Sequence, residues 1–286
     1  GGYVQNSMKN NTEPSFSNNF IDGPIVSKGE CDGKTQTLFS VEGGCTDGQY
    51  LYYALASNGR KYVQIAKYDL STKKIIQTTN IIKISDSNYW NEDYNMFYQN
   101  GYVYLLVKQT DVIKVFNSGT LEAVDDAEEF VFKNNGTKMK GIFSVGYSVE
   151  KNQYALAINN KLYITDKDKN VINTITLKAE HTKDFFKDFE KNPDIDARFQ
   201  TLYADNEYIY AIFNHDGWLA GEIQIFDWKG NKIKTVTIDL TINDKLQAAK
   251  GSYNVQNMVN MNGKLYLGVL AYGGNTGLYI YQIDFN

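Results

Sequence analysis

One phrase recurs five times along this chain, and its spacing is the strongest limit on what the chain can fold into. It reads DGQYLYYALAS at 47–57, NGYVYLLVKQ at 100–109, NQYALAINN at 152–160, NEYIYAIFN at 206–214 and NGKLYLGVL at 262–270. Each copy opens on a turn dipeptide, passes through Tyr or Lys, and runs into an alternating apolar strand. The anchors Tyr50, Tyr102, Tyr154, Tyr208 and Lys264 lie 52, 52, 54 and 56 residues apart. Such even spacing marks a repeat, and a unit this small cannot bury its own apolar faces without neighbours.

A second phrase follows the first: YVQIAKYDLSTKKIIQTT from 62, DVIKVFNSGTLEAV from 111, KLYITDKDKNVINTITL from 161 and EIQIFDWKGNKIKTVTI from 222. Each is a strand, a polar turn beginning at Asp69, Asn117, Asp166 or Asp227, and another strand. Asp and Asn suit that place because their side chains accept from backbone amides just ahead. One more strand precedes each Tyr phrase, as in TLFSVEG, DYNMFYQ, IFSVGYSV, RFQTLYA and VQNMVNM. Each unit is therefore an antiparallel meander of four strands in about 50 residues.

Four strands at this period resemble the blades of a β-propeller, and five units make five blades. The segment GGCTDGQYLYYAL is similar to segments of secreted bacterial five-bladed propellers. The resemblance is architectural and spans about residues 20–286. It implies an all-β fold of four-stranded antiparallel blades and carries no functional residue across.

The last unit is one strand short. It has strands at 255–261, 264–270 and 278–285, and Asp284 stands where other units turn into their fourth strand. An open blade edge invites aggregation, so the missing strand is expected from the N-terminal segment FIDGPIVSK, 20–28. Pro24 is tolerable there because an outermost strand has one side free of pairing. We expect residues 1–19, polar and aperiodic, to be a tail or tether, and residues 20–286 to be a single domain. The opening GGY reads as an expression remnant or as a mature end after processing.

Composition narrows the function. The formal net charge is −4 and no basic block occurs, which speaks against nucleic acid, since phosphate binding needs concentrated Lys and Arg. No run reaches the ~18 apolar residues of a membrane span. Cys31 and Cys45 are expected as free thiols: Cys31 in the connection into the first inner strand, Cys45 at that strand's far end. His181 and His215 have no metal-ligand spacing, GGNTG at 273–277 opens no helix that could hold phosphate, and no cofactor is expected.

Loops longer than minimal turns are where function collects. Here they are 85–93, 125–129, 178–198, 214–222 and 271–278, all placed on one face. The stretch 178–195 is expected to hold a short helix over that face, with Phe185, Phe186 and Phe189 packed beneath it. Trp218 and Tyr272 are the first candidates for ligand binding, with Trp90 and Asp216 in support, as rings that stack and an acceptor for hydroxyls. Packing of these rings onto the blades is the competing reading. The reading that follows is an extracellular or cell-surface recognition module for glycan or protein, leaning away from catalysis. The alternative is a carbohydrate-active hydrolase using carboxylates in the axial funnel, for which Glu42, Glu92, Asp93, Glu150 and Asp196 are candidates.

Overall fold

The structure, a computed structural model, describes residues 16–88, 94–107, 112–125, 130–180, 197–214, 220–239, 252–272 and 274–285. Strand β1 (Phe16–Ile25) is followed by a hairpin of β2 (Ser27–Cys31) and β3 (Lys34–Leu38). Blade 1 consists of β4 (Ser40–Thr46), β5 (Leu51–Ala56), β6 (Tyr62–Asp69) and β7 (Lys74–Thr78), with the short β8 (Ile82–Lys83) also on β6. Blade 2 has β9 (Tyr94–Gln99), β10 (Tyr102–Val107) and β11 (Val112–Asn117). Its fourth strand is a short ladder, in which Asn117 N donates to Glu122 O at 2.9 Å and Val124 N to Val115 O at 2.8 Å.

A hairpin of β12 (Lys133–Asn134) and β13 (Thr137–Lys138) precedes blade 3, which is β14 (Ser144–Ser148), β15 (Gln153–Ile158), β16 (Lys161–Thr165) and β17 (Val171–Thr176). Blade 4 is β18 (Arg198–Ala204), β19 (Tyr208–Asn214), β20 (Ala220–Asp227) and β21 (Lys232–Asp239). Blade 5 is β22 (Ser252–Met261), β23 (Lys264–Tyr272) and β24 (Gly277–Phe285), completed by β1. The innermost strands β4, β9, β14, β18 and β22 each touch the next, and β22 returns to β4, so the five antiparallel blades form a propeller ring.

Strand periodicity explains how the ring holds together. Successive side chains of a strand point to opposite faces, and a blade has a neighbour on each face. In β5, Leu51, Tyr53 and Leu55 enter the core shared with blade 5, while Tyr52, Ala54 and Ala56 enter the core shared with blade 2. The second strands thus read as unbroken apolar runs, whereas outermost β7 alternates exposed and half-buried residues. There is one such core at every seam, five in all.

The ring closes as expected. β1 pairs antiparallel with β24 from Phe16 against Phe285 to Ile25 against Leu278, with irregularities on either side of Asp22. Pro24 lies in the second of these, on the outermost strand. Phe20 packs into the seam of blades 4 and 5, edge-on to Tyr281 at 5.8 Å, and Ile21 and Ile25 pack into the seam of blades 5 and 1. The ladder begins at Phe16, ahead of the boundary at residue 20. The polar turns also form as read: Asp166 Oδ1 accepts from the amides of Asp168 and Asn170, and Asp227 Oδ1 from those of Lys229 and Asn231.

Three expectations change. TLFSVEG is not one strand: it divides at Phe39, because Thr35 and Thr37 pair back onto β2 across the two-residue turn Asp32–Gly33. Tyr62 donates its hydroxyl to Asp32 at 2.6 Å and Lys83 Nζ lies 2.9 Å from the same carboxylate, which fastens this hairpin to blade 1. The strands flanking 214–222 and 271–278 run further than expected: β19 reaches Asn214 and β20 starts at Ala220, while β23 reaches Tyr272 and β24 starts at Gly277. The helix expected at 178–195 falls mostly on residues outside the described ones, and 178–180 carry no helical turn.

Two predictions follow from closure and burial. Deleting residues 1–30 should remove β1, expose the β24 edge and give a protein that aggregates or melts far lower. Deleting residues 1–12 should leave the melt nearly unchanged, since Phe16–Ile25 stays whole. Equal melting of the longer deletion and the full chain would refute the closure argument. Cys31 and Cys45 are both free, the first half-buried and the second buried, and burial pushes the Cys45 thiol up. A thiol reagent at neutral pH should therefore label Cys31 in the native protein and reach Cys45 only after denaturation. A disulfide in a non-reducing peptide map is the contrary result.

Candidate functional site

An up-and-down meander places the start of each first strand, the second-to-third connection and the joint between blades at one face of the ring. The remaining turns lie at the other face. On the first face, which we term the loop face, the axis is shaped by β-bulges. The register slips by one residue between Val41 and Gly44 in β4, between Phe199 and Thr201 in β18, and between Val255 and Asn257 in β22. No slip occurs in β9 or β14. A bulge bends a strand and redirects the side chain at the slip. The residues there are Glu42, Gln200 and Gln256, each eight positions before the anchors Tyr50, Tyr208 and Lys264.

All three are polar and held. Glu42 is buried, and its Oε1 accepts from Ser40 Oγ at 2.9 Å and from Arg60 Nε at 2.7 Å. The hydroxyl of Tyr94 donates to the carbonyl of Arg60, so blade 2 steadies the residue that neutralises Glu42. Gln200 Nε2 donates to Gln256 Oε1 at 2.9 Å. Asn214 pins the β22 bulge, donating to Val255 O at 2.8 Å and accepting from Val255 N at 3.1 Å. The approach of β4 to β9 needs Gly43, where a Cβ would stand 2.7 Å from Tyr94 O.

Deeper along the axis, Thr201 Oγ1 donates to Asn95 Oδ1 at 2.8 Å, and Ser144 Oγ stands 3.1 Å from the same hydroxyl. Asn95 belongs to blade 2 and Thr201 to blade 4, which do not adjoin. A direct bond therefore joins two blades that do not adjoin, in front of the inner strand of blade 3. Beyond it, the opposite face opens as a funnel of about 560 Å³, with Asp47, Tyr98, Glu150, Asp205 and Asn257 in its wall. Asp47 and Asp205 serve their turns there: each accepts from two backbone amides, and from the hydroxyl of Tyr52 or Tyr210.

The loop face has a larger cavity, about 790 Å³, between blades 5 and 1. Pro24 and Val26 line it from the N-terminal side, Phe39, Asn58 and Arg60 from blade 1, and Asn275 from blade 5. Of the residues read from sequence, Trp218, Asp216 and Trp90 lie outside the described ones. Tyr272, expected on a loop, is the last residue of β23 and pairs with Ser252. The difference arises because β22 and β23 continue their ladder as far as Ser252 and Tyr272.

The carboxylates separate in a similar way. Glu42 is at the loop-face mouth in its ion pair. Glu150 is exposed in the first turn of blade 3, on the opposite face. Glu92, Asp93 and Asp196 lie outside the described residues. Sequence reading missed Glu222, which is fully buried on β20. Its Oε2 accepts from Glu180 N at 3.1 Å and Gln224 Nε2 at 2.9 Å, tying the segment that leaves blade 3 to blade 4. Among the described residues, no group of three or more His, Cys, Asp or Glu could hold a metal, and no helix is long and apolar enough to cross a membrane.

No protein-family model and no curated protein matches the sequence. Solved structures do. A glycosyl hydrolase from Bacteroides ovatus aligns with a TM-score of 0.53 at 12% identity, over 91% of this chain and 90% of that one. A structure reported for the GH130 family of mannoside phosphorylases aligns at 0.48 with 10% identity, over 92% and 91%. A member of the DUF4221 family from Bacteroides vulgatus aligns at 0.40 with 12% identity, over 94% and 96%. At such identities the likeness is one of fold.

Glu42→Gln tests the mouth. It removes the charge that balances Arg60, whose side chain retains 20% exposure. A cost of about 1–3 kcal/mol is expected, less than for a fully enclosed pair broken on one side. A thermal or urea melt reads it, and an unchanged melt would remove the ion pair from any account of how this mouth is held.

Proposed function

We propose that this chain is an extracellular, non-catalytic recognition module that binds a glycan or a protein through the loop face. The observation that carries the reading is the composition of the axial mouth. Its bulged positions carry the side-chain amides of Gln200 and Gln256, bonded to each other, and the one buried carboxylate there among the described residues, Glu42, holds Arg60 and Ser40. Amides suit sugar hydroxyls and peptide groups, which need both a donor and an acceptor. Glycoside hydrolysis needs something different: an acid and a base or nucleophile about 5–10 Å apart across the bond to be cut. The alternative, a carbohydrate hydrolase, draws its support from Glu42 standing at the mouth, and it requires a second carboxylate to join it.

In this reading Trp218 and Tyr272 are the stacking contacts, Trp90 is a further ring and Asp216 accepts from ligand hydroxyls. In sequence, Asp216 and Trp218 fall between β19 and β20, Trp90 falls between blades 1 and 2, and Tyr272 ends β23. No cofactor, metal or nucleic acid takes part. Removing an anchor ring from a binding site typically costs about 2 kcal/mol or more, over tenfold in affinity.

The test is a panel of glycans and cell-wall fragments, followed by Trp218→Ala on any ligand found. Affinity should fall at least about tenfold while the melting temperature holds. Undiminished binding by Trp218→Ala, or a ligand seated on the opposite face, would defeat the proposal. Release of new reducing ends from a bound glycan would move the assignment to the hydrolase.

A further inference from the structure

We infer that the cavity between blades 5 and 1 is a saccharide subsite for one neutral pyranose unit, and that filling it locks the closure of the ring. The inference rests on the glycan reading above and gives that reading a place.

Phe39 is the first reason. It stands between β3 and β4, fixed by its own amide, which donates to Ala56 O at 3.1 Å. Its side chain is half-buried in the cavity wall. Among the described residues it joins none of the five seam cores and no aromatic pair. A large ring turned from the core into a cavity offers the flat apolar face on which the C–H side of a pyranose stacks.

The polar groups around it are the second reason. Asn58, in the connection between β5 and β6, and Asn275, in the turn between β23 and β24, face the cavity from its two sides. Their side-chain amides make no hydrogen bond among the described residues. Each can both donate and accept, which matches a ring of hydroxyls. Among the described lining residues only Arg60 is charged, and Glu42 balances it at 2.7 Å. The wall therefore has no net charge to favour an ionic ligand. Its volume falls in the ~300–1,000 Å³ of small-molecule sites.

The third reason is where the walls come from. Pro24 belongs to β1 and Val26 follows it, while Leu270, Asn275 and Thr276 belong to β23 and the turn into β24. A ligand that touches both sides of the closing ladder binds the closed ring and not an opened one. By linkage, such a ligand stabilises the closed state as its concentration exceeds the dissociation constant.

The test uses the full chain with methyl pyranosides of glucose, galactose and mannose, and with cellobiose and mannobiose, measured by calorimetry and amide exchange. A probe should bind. Phe39→Ala should weaken it at least about tenfold, and Asn275→Ala, an exposed change that spares packing, severalfold. The bound probe should slow exchange in residues 16–25 and 278–285. Binding that survives both Phe39→Ala and Asn275→Ala but is lost in Trp218→Ala would overturn the subsite and leave the recognition reading standing. Binding that needs Phe39 without slowing exchange in the two strands would overturn the lock. If neither these probes nor the wider panel binds, the subsite and the glycan reading both fall, and only recognition of a protein is left.

Discussion

Packing of one blade face against the next is the interaction on which the rest of this structure depends. A four-stranded meander has two apolar faces, and water would meet both if a blade stood alone. The ring gives each face a partner, and five seams replace the single core of an ordinary domain. Tyr52 and Tyr53 show this over one peptide unit: they are adjacent in sequence, both are buried, and they serve different seams. A ring built this way has no tolerance for a missing strand. Blade 5 without β1 would lose Phe20 from one seam and Ile21 and Ile25 from the other.

Because the cores lie in the seams, the axis does not have to be apolar. The side chains there are free to be Glu, Gln, Asn, Thr and Ser, provided each finds a partner. Bulges and close strand contacts make that possible. The slips in β4, β18 and β22 redirect one side chain apiece, and Gly43 lets β4 approach β9. The bond from Thr201 to Asn95 then ties blade 2 to blade 4 in front of Ser144 of blade 3.

Much of this was legible in the chain itself, and the parts that were not share a cause. The repeat, the closure by the N-terminal segment and the Asp and Asn turns follow from local pattern, because a strand's alternation and a turn's side-chain acceptor are properties of a few consecutive residues. The bulges depend on the register of a partner strand, so Gln200 and Gln256 looked like ordinary strand residues. The β2–β3 hairpin had a signal, the Asp32–Gly33 pair between extended segments, but TLFSVEG around Phe39 read as one continuous strand. Glu222 is buried by a backbone amide from Glu180, a contact that no spacing in the sequence announces. For the proposed binding residues, sequence could name exposed rings on long connections. Tyr272 ends a strand, and Phe39 lies inside TLFSVEG, where nothing local marks its ring as lining a cavity.

The closing ladder also sets how the domain bears a load. Phe16 and Phe285 are paired, so the chain enters and leaves the ring at the same end of β1 and β24. Hydrogen bonds in an antiparallel ladder run across the strands. Tension applied between the segments before Phe16 and after Phe285 therefore acts along those bonds and opens them a pair at a time, like a zip, instead of shearing them together. Loaded in that direction, the closing ladder yields bond by bond, and a domain tethered at one end alone is spared that strain.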